Sequence, residues 1–179
     1  MTGSRRLSQR ISEGDGIAII ACVRDADGAR AAEQQGAKAI AVERSVDGIR
    51  EATSLPLLWL GDDEPVDADA QTIHPDDAPW HGDVEHVVTV HDEEELERAL
   101  ERLDPEIFLL SARGRDDDED PLDAVLELLP DVPAGKLAIA QVDVESRDDV
   151  LALERAGIDA VLVRTGDVAA LVGERPPEV

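Results

Sequence analysis

Three kinds of residue are scarce in this chain, and each shortage restricts what the protein can be. The 179 residues include one cysteine, Cys22, which excludes both a disulfide framework and a metal site built from several thiolates. There is one Phe, two Trp and no Tyr, so the core must be built from Ala, Val, Leu and Ile. Bases are also few, 17 against 42 acids, and the formal net charge is −25.

The negative charge restricts the possible partners. Nucleic acids and anionic membranes would be repelled by such a chain, so we expect neither as a partner. Adaptation to salt and a general compositional bias that keeps the protein in solution both explain the acidity, and the sequence leaves both open. The acidic run "RDDDED" (115–120) lacks the spacing of a calcium-binding loop and is interpreted as a solvated loop.

Long apolar runs are absent as well. No stretch approaches 18 consecutive apolar residues, so no membrane-spanning helix is predicted. The first 15 residues are polar and basic and lack the apolar region of a signal peptide. We therefore expect a cytoplasmic protein with a short polar lead-in over 1–15 and a single domain over 16–175.

Short apolar runs alternate with amphipathic helical patterns along the rest of the chain. A continuous apolar run is typical of a strand that is buried on both faces. The predicted strands are 16–23, 37–43, 56–61, 70–74, 84–90, 106–112, 137–143 and 159–165. Eight such units predict a minimal (β/α)8 TIM barrel with shortened loops and degenerate helices 3 and 4. An open doubly wound parallel sheet is the alternative, because such barrels typically take about 250 residues.

Residues 137–166 give the clearest local signals. Ser146 is expected to cap a helix, with Asp149 supporting its first turn and Gly157 ending it. The segments 33–44 and 154–165 also echo each other in sequence. Each has a Glu and a Gly three residues later, and then a four-residue stretch that starts with Ala, continues with Ile or Val and ends with Val. The echo supports a repeated helix–strand unit.

The segments "VVTVHDEEELERAL" (87–100) and 137–165 resemble the indole-3-glycerol-phosphate synthase family, which are barrel lyases of tryptophan synthesis. A weaker likeness extends over 19–43. The resemblance implies a phosphate-binding barrel with its catalytic groups at the C-terminal ends of the strands. It also implies an indole ring closure in which a lysine acts as general acid, while glutamates and a second lysine move protons.

Most of the positions that carry these groups in the family hold other residues here. The replaced positions are Cys22 and Arg24 on the first strand, Leu60 on the third, Thr89 on the fifth and Gln141 on the seventh. Arginine does not release its proton near neutral pH, and leucine has none to give. The usual synthase mechanism is therefore not expected.

Other rim positions keep residues that suit an anion. The resemblance assigns catalytic positions to Arg113, which is retained, and to Arg24 and Gln141, which are substituted. Residues expected to bind ligand or phosphate are Ser111, Arg164, Thr165 and Gly166. Arginine forks bind phosphate well, but the same arginines would equally pair with the many nearby acids.

Proton transfer at this rim would need a titratable group, and the candidates are His74, His91 and Asp143. No metal-ligand spacing is present among the histidines, so neither a metal nor a cofactor is expected. Cys22 is interpreted as a small core residue.

The sequence thus predicts a degenerate, inactive or altered-specificity relative of the synthases. A non-catalytic barrel that binds an anion or a phosphorylated metabolite, or acts as a scaffold, is the alternative. The expected partner is a small phosphorylated metabolite. A homodimer is also expected, because incomplete helical cover near 61–83 would leave apolar strand surface exposed.

Overall fold

In a computed structural model that describes residues 7–13, 16–65, 67–77, 84–112, 120–164 and 168–172, eight parallel strands close into a barrel. Each strand pairs with the next along the chain, and β8 returns to pair with β1. The strands are β1 (Ala18–Cys22), β2 (Ala39–Val42), β3 (Leu57–Trp59), β4 (Ala70–Ile73), β5 (Glu85–Val90), β6 (Ile107–Ser111), β7 (Leu137–Gln141) and β8 (Ala160–Val163). The TIM-barrel prediction is confirmed, and the open-sheet alternative is wrong.

The strands are buried on both faces, as their continuous apolar runs predicted. Alternate residues point inward and outward, which divides the core into two clusters. The inner cluster fills the barrel and includes Ile20, Leu58, Val87, Leu109, Ile139 and Leu162. The outer cluster lies between the sheet and the helices and includes Ile19, Ile40, Val88, Phe108 and Val161. With so few aromatic residues, both layers are packed mainly from aliphatic side chains.

The helices begin and end where short-range chemistry dictates. Asp25 caps α2 and Ser146 caps α6, the latter through a full capping box with Asp149. Pro121 occupies the first turn of α5. The helices are α1 (Leu7–Ser12), α2 (Ala26–Gln35), α3 (Ile49–Ala52), α4 (Glu93–Arg102), α5 (Pro121–Leu128), α6 (Arg147–Ala156) and α7 (Val168–Val172), and a 3-10 turn over Leu129–Asp131 follows α5.

Among the described residues, helical cover is thinnest between β3 and β5. Within the described parts of the two connections there, 60–65 with 67–69 and 74–77 with 84, no residue is helical. This agrees with the prediction that the third and fourth helices are degenerate. The outward side chains Leu57, Trp59 and Ile73 are nevertheless at most 4% exposed. The exposed apolar surface that motivated a homodimer is absent at these side chains, and the dimer stays a prediction.

The predicted polar lead-in contains a helix that the sequence pattern did not reveal. Leu7 and Ile11 lie one turn apart on α1, are buried, and pack against the inner cluster. The backbone N–H and hydroxyl of Ser8 donate to the carboxylate of Glu85, the first residue of β5. The helix therefore packs at the amino ends of the strands, opposite the end where catalytic groups lie in this fold.

No helix in the described part of the chain is long and apolar enough to cross a membrane.

Candidate functional site

A cavity of about 180 Å³ opens at the C-terminal ends of the strands, and we call it the rim cavity. Strands β3 to β8 contribute to it through their last residues or the residues that follow them, and β2 does so through Glu43. Its lining is Glu43, Leu60, Asp62, Thr72, Ile73, His74, Thr89, His91, Leu109, Ser111, Gln141 and Arg164. Catalytic residues of TIM barrels lie at this end, so the cavity is the candidate site.

Arg164 reaches the rim cavity as one half of an ion pair. Its Nη2 atom lies 2.5 Å from Oε1 of Glu43. Both side chains are partly exposed, 39% for Arg164 and 54% for Glu43. The interpretation that a rim arginine pairs with a neighbouring acid therefore holds for Arg164 in this structure.

His91 is held by a carboxylate from the following helix. Its Nδ1 lies 2.9 Å from Oε2 of Glu95, and its backbone N–H donates to the same oxygen at 2.8 Å. Glu95 is in the first turn of α4, where its own backbone N–H donates to the cap residue Asp92. The capping of α4 thus fixes Glu95, and Glu95 in turn orients the imidazole of His91 at the cavity.

A second cavity of about 220 Å³ adjoins the first. Gln141 and Arg164 line both of them, so these two side chains lie where the cavities meet. Asp143 lines the second cavity, together with Leu162 and the amino end of α5 at Pro121. The two cavities together offer hydroxyl, amide, imidazole, guanidinium and carboxylate groups to one ligand.

The structure brings together some of the predicted site residues and leaves others apart. Five of them line the rim cavity, and a sixth, Asp143, lines the second cavity. The five are Ser111, Gln141, Arg164, His74 and His91. Arg24 is exposed and is not part of the described lining of either cavity. Arg113, Thr165 and Gly166 lie outside the described residues. Of Arg24, Arg113 and Arg164, the three arginines predicted at the rim, the described structure thus places Arg164 at the rim cavity.

The positions where the family resemblance expects lost proton-transfer groups lie at the same place. Leu60 and Thr89 both line the rim cavity. Cys22 is half-buried and packs against the inner cluster, in agreement with its interpretation as a core residue.

Three polar lining residues were missed from the sequence: Glu43, Asp62 and Thr72. Glu43 ends the second predicted strand, and Thr72 lies in the fourth. Their position at strand ends was the signal, because parallel strands of a barrel deliver their C-terminal residues to one rim. Acids are so common in this chain that neither Glu43 nor Asp62 stood out.

Three groups away from the rim cavity have shifted pKa values: Glu33, His86 and Asp159. The hydroxyl of Ser54, by donating a hydrogen bond, lowers the pKa of Glu33 against the opposing effect of burial. Burial lowers the pKa of His86 and raises that of Asp159, where the N–H of Ala138 acts in the opposite direction. In the part of the chain that the structure describes, no three or more His, Cys, Asp or Glu residues are grouped to hold a metal ion.

Comparisons with known proteins point to one family. The family model for indole-3-glycerol phosphate synthase matches residues 78–169, which include β5 to β8. The indole-3-glycerol phosphate synthase of Variovorax paradoxus (strain S110) is 40% identical over 77 residues, 43% of this chain and 29% of that protein. That of Alkaliphilus metalliredigens (strain QYMF) is 34% identical over 94 residues, 52% of this chain and 36% of that protein.

The similarity is partial in both directions. The chain spans about a third of the length of the curated relatives it matches. The matched half carries Thr89, His91, Ser111, Gln141 and Arg164, whereas the rim residues of β1 to β4 lie outside it.

Proposed function

This chain belongs to the indole-3-glycerol phosphate synthase family. From that premise we propose that it is an altered member with two properties. It binds a small phosphorylated metabolite at the rim of its barrel, and it does not perform the usual ring closure. One observation carries the second half of the proposal. Leu60 and Thr89 line the rim cavity at positions where the family resemblance expects a lysine acid and a glutamate. Neither side chain can protonate a ketone or accept a proton from carbon near neutral pH.

The binding half of the proposal depends on the polar groups that remain. Ser111 and Gln141 contribute a hydroxyl and an amide to the cavity lining, and Arg164 contributes a guanidinium. Such groups suit the oxygen atoms of a phosphate or of a sugar hydroxyl. In this proposal Arg113, Thr165 and Gly166, which lie outside the described residues, add further contacts to the anion, whereas Arg24 does not contribute.

A second candidate function is an enzyme of different specificity in which His91 transfers a proton. The contact between His91 Nδ1 and Glu95 favours it, because a carboxylate that orients an imidazole is a common arrangement for a general acid or base. The three titratable candidates are His74, His91 and Asp143. The contact with Glu95 selects His91 among them, and Asp143 lines the neighbouring cavity. His91→Gln should abolish any such turnover, whereas wild-type turnover would support this second candidate function.

The first test is an assay for indole fluorescence with the synthase substrate. We expect no turnover by the purified protein, and Arg113→Ala serves as a control for contaminating enzyme. Turnover that disappears in Arg113→Ala would contradict the proposal, because the site would then have been rebuilt around other groups.

The second test measures binding directly. Glycerol 3-phosphate should raise the melting temperature of the wild-type protein, since a ligand that binds the folded state stabilises it. Arg164→Gln should reduce that rise. Arg98→Gln is the matched control, because Arg98 is an arginine of α4 that pairs with Asp76, and neither residue lines the rim cavity. Equal rises in all three proteins would contradict a phosphate site at Arg164, and no rise in any of them would leave a scaffold role.

A further inference from the structure

The pair between Glu43 and Arg164 joins residues from two strands that are not neighbours. Glu43 follows β2 directly and Arg164 follows β8, while β1 lies between these two strands in the barrel. To meet at 2.5 Å, the two side chains must reach across the end of β1. The contact therefore directs both of them over the mouth of the barrel, where both line the rim cavity.

The backbone holds Glu43 in this position from both sides. The residues before it are bonded to both neighbouring strands: Val23 N–H donates to Ala41 O at 2.9 Å, and Leu60 N–H donates to Val42 O at 2.8 Å. A Cβ atom at Gly61 would lie 2.8 Å from the carbonyl oxygen of Glu43. Only glycine lets the chain after β3 pass so close, so Glu43 is fixed at its stem while its carboxylate faces the cavity.

The charges of the described lining oppose an anion as long as the pair is intact. Two carboxylates, those of Glu43 and Asp62, stand against the single guanidinium of Arg164. A tethered carboxylate also has a high effective concentration at its partner, so a free anion competes with it poorly. Because both side chains are partly exposed, the pair is weak enough to open when a ligand offers better contacts.

We infer that Glu43 is a specificity-determining residue of the rim cavity: its carboxylate occupies the Arg164 guanidinium and must leave before an anionic ligand binds there. The inference rests on the phosphate-binding function proposed above. It follows that a bare anion binds weakly. A phosphate monoester gains enough to displace Glu43 when the rest of the molecule also contacts groups such as Ser111 and Gln141.

The test uses inorganic phosphate as the probe, titrated calorimetrically at constant ionic strength. Glu43→Gln should lower the Kd for phosphate about fivefold, because it removes the carboxylate that competes with phosphate for the Arg164 guanidinium. Asp62→Asn is the matched control. It removes one negative charge from the same lining, but among the described contacts Asp62 forms no ion pair with Arg164, so we expect a change of less than about twofold.

A double variant locates the gain. In Glu43→Gln with Arg164→Gln, the tighter binding seen in the single Glu43→Gln variant should be lost. If Asp62→Asn tightens binding as much as Glu43→Gln does, the effect is one of overall charge; the inference is then overturned while the phosphate site stands. If Glu43→Gln binds no phosphate at all, the proposed phosphate site fails and the inference fails with it.

Discussion

Two helix–glycine–strand units of this barrel share one backbone and differ in what they carry to the rim. In 33–44, α2 ends at Gly36 with φ 106° and ψ 11°; in 154–165, α6 ends at Gly157 with φ 108° and ψ 13°. The N–H group of each glycine bonds to carbonyls in the last turn of its helix, and the next strand begins three residues after the glycine. The echo seen in the sequence is therefore an echo in structure.

The difference between the units lies one residue beyond their strands. Glu43 follows β2 and Arg164 follows β8, at equivalent places in the two segments, and these two residues form the ion pair at the rim cavity. Packing and backbone geometry restrict which residue types can form the helix, the glycine and the buried strand, whereas they leave the type of the rim side chain open. Retention of the fold thus carries little information about retention of the chemistry.

The largest expected effect is on the free energy of unfolding, and it differs between substitutions at the two glycines. Both have positive φ, where a side chain costs about 1–2 kcal/mol. A Cβ at Gly36 would also lie 3.2 Å from Val172 Cγ1, whereas one at Gly157 would lie 3.8 Å from Leu129 Cδ2, an ordinary contact. Gly36→Ala should therefore lower the free energy of unfolding by about 2 kcal/mol and Gly157→Ala by about 1 kcal/mol, as measured by urea denaturation.

A second substitution isolates the cause of that difference. Val172→Ala on α7 removes Cγ1 and Cγ2 of Val172, the two atoms nearest to a new Cβ at Gly36, and leaves its Cβ at an ordinary 3.7 Å. Combined with Gly36→Ala, it should bring the loss due to the glycine substitution down to that of Gly157→Ala. If the two single glycine variants already lose the same amount, the contact with Val172 has no cost.

A smaller effect is expected where one unit has a partly buried acid and the other a lysine. Asp159 and Lys38 occupy equivalent positions, and the carboxylate of Asp159 accepts a hydrogen bond from Ala138 N–H at 2.9 Å, which ties β7 to β8. Asp159→Ala should lower the free energy of unfolding by about 1 kcal/mol. Asp159→Asn keeps an oxygen acceptor there and should cost less.

The pH dependence of the Asp159 variants follows from the raised pKa. Burial raises the pKa of Asp159 in the folded protein, with the Ala138 N–H opposing. A raised folded pKa means that the stabilising contribution is complete below the ordinary pKa of aspartate and is lost as pH rises through the folded pKa. The stability of Asp159→Asn relative to wild type should therefore increase as pH rises from below the ordinary pKa of aspartate through the raised pKa of the folded protein. A relative stability that falls over this range would contradict the raised pKa.

The sequence was sufficient wherever local chemistry decides. The cap at Ser146 and the helix end at Gly157 were predicted at the correct residues, because each depends on a few neighbouring backbone groups. The closed barrel followed from the number and alternation of the strands. The helix α1 was missed because its two buried residues, Leu7 and Ile11, are too few to stand out in a polar segment.

The rim could be predicted only in part, because its contacts join distant residues. Glu43 and Arg164 are 121 positions apart, and no local pattern indicates that they pair. Ser111 and Gln141 were predicted because the family resemblance assigns site positions to them at the ends of their strands. Arg24 lies just past the end of β1 and was expected beside them, yet it is exposed. Where a side chain turns after its strand ends is set by its neighbours in space, which a single sequence does not supply.

The smallest expected effect on the free energy of unfolding comes from exchanging the two rim charges. If the two units present equivalent backbones, Glu43→Arg with Arg164→Glu should re-form the pair in reverse. Glu43→Arg alone places two guanidinium groups together and should cost about 0.5 kcal/mol, because an exposed pair contributes little. The double variant should recover most of that loss in the free energy of unfolding, measured with both single variants as a double-mutant cycle. If the losses of the two single variants simply add in the double variant, the two backbones match while their side chains reach the rim at different angles. The pair then depends on which unit supplies the acid.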